Sequence, residues 1–373
     1  MNQPNMNTFT TGAEPAQPIR LSWRHPKGLL GLSFVNFVLR ILTLGIYNFW
    51  GKTEVRRRIW SAVRLEGEPL QYTGTGKELF LGFLIVFGAI VIPLMLLSVG
   101  AAVALGPESD AFDMFQLGLY VALFFLTGIA IYRAQRYRLS RTLWRGIRGG
   151  LEGSSRDYAW TYFWTGLLIP LTVGWIMPWR STKLQGMITR DMRFGDRPFH
   201  FNAPSGPLYA RFAVLWIAAI AIAAAAGITA HGLFLADVEA FDPSLGRPFV
   251  LRPSTVATMI ALAAAAYIVY SIVSAWYRAK QINHFAAHTH FDKASFKSRV
   301  TAGGLIWIGV TNILLVIFTL GLLIPVAQAR AARYLVENLE IAGVVSLSEI
   351  AQGADPGIRR GEGLAQAFDV DAF

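Results

Sequence analysis

Five stretches of this chain, residues 79–105, 114–132, 208–232, 254–277 and 301–326, run with almost no charge. Each reaches the roughly 18–20 residues that a helix needs to cross a bilayer. In lipid no water satisfies the backbone, so such stretches fold as helices or closed barrels, and continuous apolar runs are helical. Charged residues make up only 15% of the chain, against about 25% in a soluble domain, which leaves too little charge to solvate a water-facing surface. The chain reads as an all-α, multi-pass integral membrane protein.

Charge sets the expected topology. Lys and Arg number six in residues 51–78, seven in 133–157, five in 179–207 and five in 278–301. Residues 106–113 hold Glu108, Asp110 and Asp113 with no base, and residues 233–253 hold Asp237, Glu239 and Asp242 against Arg247 and Arg252. Basic loops stay in the cytoplasm. Spans 79–105 with 114–132, and 208–232 with 254–277, therefore form two hairpins whose tips lie outside. The formal charge of +11 is loop charge of this kind, so anionic lipid headgroups rather than nucleic acid are the expected partner. The absence of cysteine removes disulfides, thiolate metal sites and thiol nucleophiles.

Three apolar segments, 29–50, 158–178 and 301–326, have basic loops on both sides. Each either crosses once, against the charge rule, or enters and returns on one side. The same three segments are repeats. An offset of 129 lays Thr43 and Gly45 on Thr172 and Gly174, Trp50 on Trp179, Arg64 on Arg193 and Pro69 on Pro198. A further offset of 147 carries Thr172 and Gly174 onto Thr319 and Gly321, and Pro178 onto Pro325. The repeated turn is T-[LV]-G, where Gly allows positive φ and Thr can bond backbone groups freed inside the bilayer. Pro178 and Pro325 are expected to end or kink a helix. The organisation that follows is a disordered tail (1–20), a membrane domain of units 21–132, 133–277 and 278–345, and a disordered tail (346–373).

The run Thr43-Leu44-Gly45-Ile46-Tyr47-Asn48-Phe49-Trp50, then Arg56-Arg57-Arg58, then Gly67 through Gly74 with Tyr72, resembles the YjgN-like bacterial inner-membrane proteins. The block Thr319-Leu320-Gly321 with Arg330, Arg333, Tyr334 and Asn338 is similar to the same signature, whereas the middle unit departs from it at Trp175 and Met177. The resemblance covers residues 20–345 and implies a multi-pass inner-membrane protein. That family is one of unknown function, so no catalytic residue comes with it.

Candidate site residues are few. Arg40 lies inside an apolar segment, four residues after Asn36 and so on the same helix face; a charge there is a functional candidate by default. Asn36, Thr165 and Asn312 each stand seven residues before the repeated Thr, placing one polar group at a common depth in every unit. That pattern suits a solute site or a bond between helices, the latter being the commoner use. Arg136, Arg141, Arg145 and Arg148 fall near one face if residues 133–156 are helical, as an in-plane helix contacting anionic lipid requires. His284, His288 and His290 form a weak metal pattern without a carboxylate, and neither a metal nor a cofactor is expected. The sequence holds no Walker loop, H-E-x-x-H or G-x-S-x-G motif, and no enzyme is read from it. Gly- and Pro-broken apolar repeats mark binding sites in transporters, which makes translocation of a solute or lipid the first functional expectation. A scaffold for anionic lipid or a protein partner is the second, and a lipid-modifying enzyme the third.

Overall fold

The structure, a computed structural model of the chain, describes residues 19–241, 244, 248–343, 345 and 350. The expected disordered tails lie outside these residues, apart from Ile19, Arg20 and Ile350. Ile19 and Ile350 pack in an apolar cluster with Phe291 and Val345, so at those points the chain is held against the fold.

One phrase of elements recurs along the chain. Strand β1 (Leu21–Trp23) leads to α1 (Leu29–Leu42), which turns back as α2 (Asn48–Ala62) and ends in β2 (Val63–Leu65), β3 (Glu68–Pro69) and β4 (Gln71–Tyr72). A long hairpin follows, built of α3 (Gly76–Val86) running through a π turn at Phe87–Val91 into α4 (Ile92–Leu105), and then α5 (Asp110–Ser140). The second unit has β5 (Thr142–Trp144), β6 (Ile147–Leu151), the short hairpin α6 (Ser155–Leu171) and α7 (Met177–Asp191), β7 (Met192–Phe194) and β8 (Arg197–Phe201). Its long hairpin is α8 (Gly206–Glu239) with α9 (Pro253–Ala287). The third unit is β9 (Thr289–Phe291), β10 (Ala294–Ser298), the short hairpin α10 (Ala302–Phe318) and α11 (Ile324–Glu337), and β11 (Leu339–Ala342).

Local chemistry places the helix boundaries. Thr75, Ser109, Ser154 and Thr301 each accept a backbone N–H from the first turn of the helix they precede, satisfying an orphan donor worth about 1 kcal/mol. Pro93 has no N–H to continue the helical ladder, and the widened turn at Phe87–Val91 sits directly before it. The four long helices, of 30, 31, 34 and 35 residues, extend about 45–52 Å at 1.5 Å per residue. That exceeds the roughly 30 Å hydrocarbon core, so these are the four spanning helices expected. At the far end of the second long hairpin Asp237 is buried and accepts the Arg252 backbone N–H at 2.9 Å as well as its guanidinium.

The helical expectation holds for the membrane part, and a β-sheet is added to it. Eight strands lie antiparallel in the order β11-β10-β9-β8-β7-β6-β5-β4, and β3, contiguous with β4, continues through β2 to β1. Because β1 in turn approaches β11, the strands curl into a crown. Tight turns at positive φ, Glu66-Gly67, Arg145-Gly146 and Asp292 among them, join the strands, as two-residue hairpins of matching twist require. Side chains alternate across a strand, and the inner side carries Trp144, Phe194, Phe199, Phe291 and Phe296.

This crown settles the geometry of the odd segments. Every helical hairpin, long or short, leaves a strand of the crown and returns to one, so all strands and the basic loops around them lie at one end. The short hairpins leave and return at that same end. They pack in sequence round the crown: α5 lies on α6, α9 on α10, and α11 on both α1 and α2 through Ala329 against Leu29, Leu32, Val55 and Ile59. Gly128 makes the first of these seams close, since a Cβ there would stand 2.8 Å from Ala159 Cα; small residues let helices approach this way in membranes.

Candidate functional site

The three T-[LV]-G turns are built alike. Each Thr ends the inbound helix and bonds in two directions. The Thr43, Thr172 and Thr319 hydroxyls donate to the carbonyls of Leu39, Leu168 and Leu315 at 2.7, 2.7 and 2.6 Å. The same oxygens accept the N–H of Tyr47, Ile176 and Leu323 at 2.9, 3.3 and 3.3 Å. Gly45, Gly174 and Gly321, at φ +91°, +79° and +85°, donate their N–H to the carbonyls of Arg40, Ile169 and Val316 at 2.7, 2.7 and 2.8 Å, the six-residue bond of a Schellman end. Helix ends left open in hydrocarbon would cost several kcal/mol per group, and this turn closes both ends at once.

Between Thr and Gly, Leu44, Val173 and Leu320 occupy φ near +50°, which is unfavourable for a branched or bulky residue. They are 95%, 66% and 83% exposed. Apolar residues presented this way at a hairpin tip, far from the crown, suit a tip dipped in lipid. Pro178 and Pro325 neither end nor kink a helix, contrary to the sequence expectation: both sit in the first turn of the returning helix, where a missing N–H goes unnoticed.

Two of the three polar residues at common depth are clasps within their own hairpins. Asn36 donates its amide to the Gly51 carbonyl at 3.4 Å, and Asn312 donates to the Ala327 carbonyl at 3.0 Å, fifteen residues on in both cases. Thr165 instead bonds back to Thr161 at 2.6 Å, and its hairpin is joined by Arg180, which donates to the Tyr162 carbonyl at 3.3 Å and stacks on that ring at 4.5 Å. In the third hairpin Arg330 adds a bond to Thr311 Oγ1 at 2.8 Å. Sequence reading missed both arginines as clasps, although they sit within the first two turns of the basic returning helices. Asn36 Oδ1 and Asn312 Oδ1 remain buried without a partner. Arg40 lies exposed in the last turn of α1, and its guanidinium makes no bond to any described residue.

The four arginines expected on one lipid-facing helix are elsewhere. Helix α5 stops at Ser140, and residues 142–151 form the β5–β6 hairpin, because the left-handed Arg145-Gly146 pair makes a strand turn. Arg136 bonds the carbonyls of Leu151 and Gly153. Arg141 pairs with Glu78 at 2.8 Å, and Arg145 with Glu68 at 3.2 Å while stacking on Trp144. Arg148 is a strand residue of β6 opposite Leu143. Arg136, Arg141 and Arg145 tie neighbouring elements of the crown together, and the four do not share a helical face. The His284 and His288 rings lie 4.4 Å apart, tilted to each other, and bond main-chain oxygens of Pro204 and His284 respectively, while His290 is in β9 opposite His200. Among the described residues no cluster suits a metal ion.

Comparison with known proteins gives a coherent result. Residues 26–367 match the family model described as bacterial protein of unknown function (DUF898). A stretch of 132 residues, 35% of this chain, is 31% identical to 31% of the inner membrane protein YjgN of Salmonella typhimurium. A stretch of 153 residues, 40% of the chain, is 28% identical to 35% of the protein of the same name from Escherichia coli O157:H7. The matched parts thus span about a third of those relatives. No solved structure matches.

Proposed function

The chain belongs to the DUF898 family of bacterial proteins of unknown function, and from that premise we propose that it is an inner-membrane scaffold whose crown faces the cytoplasm and gathers anionic lipid. The observation that carries this reading is the return of every hairpin to one crown. The four basic loops, with six, seven, five and five Lys and Arg, are thereby gathered at one end, and the acidic connections around Asp110 and Asp237 at the other. Basic residues near an anionic leaflet contribute about 1 kcal/mol each, so a modest number left in contact with headgroups suffices for a strong preference. The reading draws on the whole basic end and not on Arg136, Arg141 and Arg145, whose charges already serve the crown. The inner-membrane location is that of the relatives bearing the name YjgN.

The test is reconstitution of the full chain in nanodiscs of neutral or anionic phospholipid. Anionic lipid is expected to raise the thermal midpoint by several degrees at low salt, and about 0.5 M salt, where screening acts within roughly 3–10 Å, should erase most of the gain. Equal midpoints in the two lipids at low salt would refute the reading.

A second reading, translocation of a small polar solute, is favoured by one observation: Asn36 Oδ1 and Asn312 Oδ1 stand unbonded at equivalent places with the free guanidinium of Arg40 one turn from the former. It calls for solute flux in proteoliposomes that falls with Arg40→Ala.

A further inference from the structure

Several arginines at the basic end are spent on the fold: Arg57 donates to the Gly74 carbonyl, Arg190 to that of Phe201, and Arg299 pairs with Glu340. Arg133 and Arg156 are not. Neither makes a hydrogen bond or ion pair to any described residue, although Arg133 is half-buried.

The two arginines meet where α5 lies on α6. Helix α5 runs toward the crown and α6 away from it, and Gly128 and Ala159 touch at their seam. Arg133 stands five residues beyond Gly128, and Arg156 three residues before Ala159. At 1.5 Å per residue they lie about 7.5 and about 4.5 Å past that contact, both on the crown side. Arg136, on the face of Arg133 one turn further on, is pinned by the carbonyls of Leu151 and Gly153. Burial, and then the positive charges of Arg136 and Arg156, hold the Arg133 guanidinium below its ordinary pKa range. The acids around them are taken up elsewhere. Asp191 accepts the Tyr132 hydroxyl at 2.6 Å, and Glu152 holds Arg193 at 2.5 Å. Three arginines against Asp157, the one acid in the first turn of α6, leave this corner positive and in mutual repulsion, which a bound anion would relieve.

Position and chemistry name the anion. The apolar runs 114–132 and 158–178 stop one residue from Arg133 and two from Arg156, which puts the corner at the edge of the hydrocarbon, where basic pockets between membrane helices take headgroups. A guanidinium is a planar fork that matches phosphate oxygens, and the surplus positive charge favours a lipid of net negative charge over a zwitterionic one. We propose that the α5–α6 corner is a discrete binding site for the phosphate of an anionic phospholipid, held between Arg133 and Arg156. It rests on the reading of the basic end as a surface that gathers anionic lipid, and narrows it to one place. The next unit repeats Tyr132-Arg133-Ala134 as Tyr277-Arg278-Ala279, but has Gln281 and Gly303 where Arg136 and Arg156 stand. Arg278 is therefore a matched control without the site.

The experiment uses the full chain in nanodiscs of phosphatidylcholine with a rising share of phosphatidylglycerol, and counts the lipids retained by native mass spectrometry. One phosphatidylglycerol is expected to be held in preference to phosphatidylcholine. Arg133→Gln and Arg156→Gln should each raise the phosphatidylglycerol share needed for half occupancy about fivefold. Arg133→Lys, which keeps the charge, and Arg278→Gln should change it by no more than about twofold. The unfolding midpoint gives a second sign. In pure phosphatidylcholine Arg133→Gln should match or exceed the parent, because a repulsion is removed, whereas with phosphatidylglycerol present it should fall below the parent. A midpoint lowered in phosphatidylcholine would make Arg133 a prop of the fold and overturn the proposal. Retention unchanged by both Gln variants, in a parent whose midpoint still responds to anionic lipid, would overturn this site alone, whereas a parent indifferent to anionic lipid would fail the broader reading. Loss of the retained lipid to inorganic phosphate, but not to sodium chloride of the same ionic strength, would assign the corner to free phosphate and overturn the proposal as well.

Discussion

The short and long hairpins are made of similarly apolar sequence, yet they end in different places. A long helix such as α9, or α3 continued into α4, keeps its apolar character to the far side and turns in a polar, acidic loop. A short hairpin spreads one apolar run over two helices, with the turn in the middle of the run and basic residues within about two turns of the returning helix. Hydropathy averages over that turn and sees one span in both cases. What separates them is backbone chemistry: the Thr hydroxyl that serves both helices, and a Gly at φ +79° to +91° that closes the inbound one. A return inside lipid requires a turn that satisfies the main-chain groups at both helix ends, and three copies of the same three-bond pattern serve that requirement.

The difference can be broken at graded expense. Gly128→Leu forces a side chain against the Ala159 backbone, 2.8 Å from where its Cβ would lie. Overpacking typically costs about 1–3 kcal/mol, and with backbone on the other side the top of that range is expected. A lowered unfolding midpoint in a mild detergent would show it, and the loss should exceed that of Gly88→Leu, whose Cβ meets nothing. Gly174→Ala acts through φ alone, as no atom lies within 4 Å of its Cβ; a left-handed alanine costs about 1–2 kcal/mol. The same change at Gly88, in a long helix, should be neutral or stabilising, so the pair of midpoints reports the turn directly. Thr172→Val removes the hydroxyl that caps both helices and should cost about 1 kcal/mol, with faster hydrogen exchange at Ile176 than in the parent. Asn312→Ala breaks one clasp, where polar contacts between membrane helices average about 0.6 kcal/mol; its midpoint should move least of the four.

Much of this was legible in the sequence for physical reasons. Spans of 20 or so apolar residues admit one structure in lipid, and the repeats, the T-[LV]-G turns and the common depth of Asn36, Thr165 and Asn312 follow from residue identities alone. The crown was not legible. Its strands are two to five residues long, too short for alternation to outweigh the helical run that α5 carries up to Ser140, so Arg141, Arg145 and Arg148 read as a helix continuing. The signal that marks the sheet is local: Arg145-Gly146 and Gly195-Asp196, set between alternating apolar residues such as Arg197-Pro198-Phe199-His200-Phe201. Pro178 and Pro325 misled because a proline is neutral in the first turn of a helix and disruptive elsewhere, and the sequence does not say where the helix begins.

The central claim is that the three short hairpins return to the side they leave. The chain has no cysteine, so single cysteines at Ser61, Ser155, Ser205 and Ser295 can be tested in intact cells with an impermeant thiol reagent, with Ser109 as the reporter of the opposite side. All four are expected to resist the reagent until the membrane is opened, while the cysteine at Ser109 reacts at once. Labelling of the Ser205 position but not the Ser155 position from outside would mean that α6 and α7 together cross the bilayer, which contradicts the crown and the account built on it.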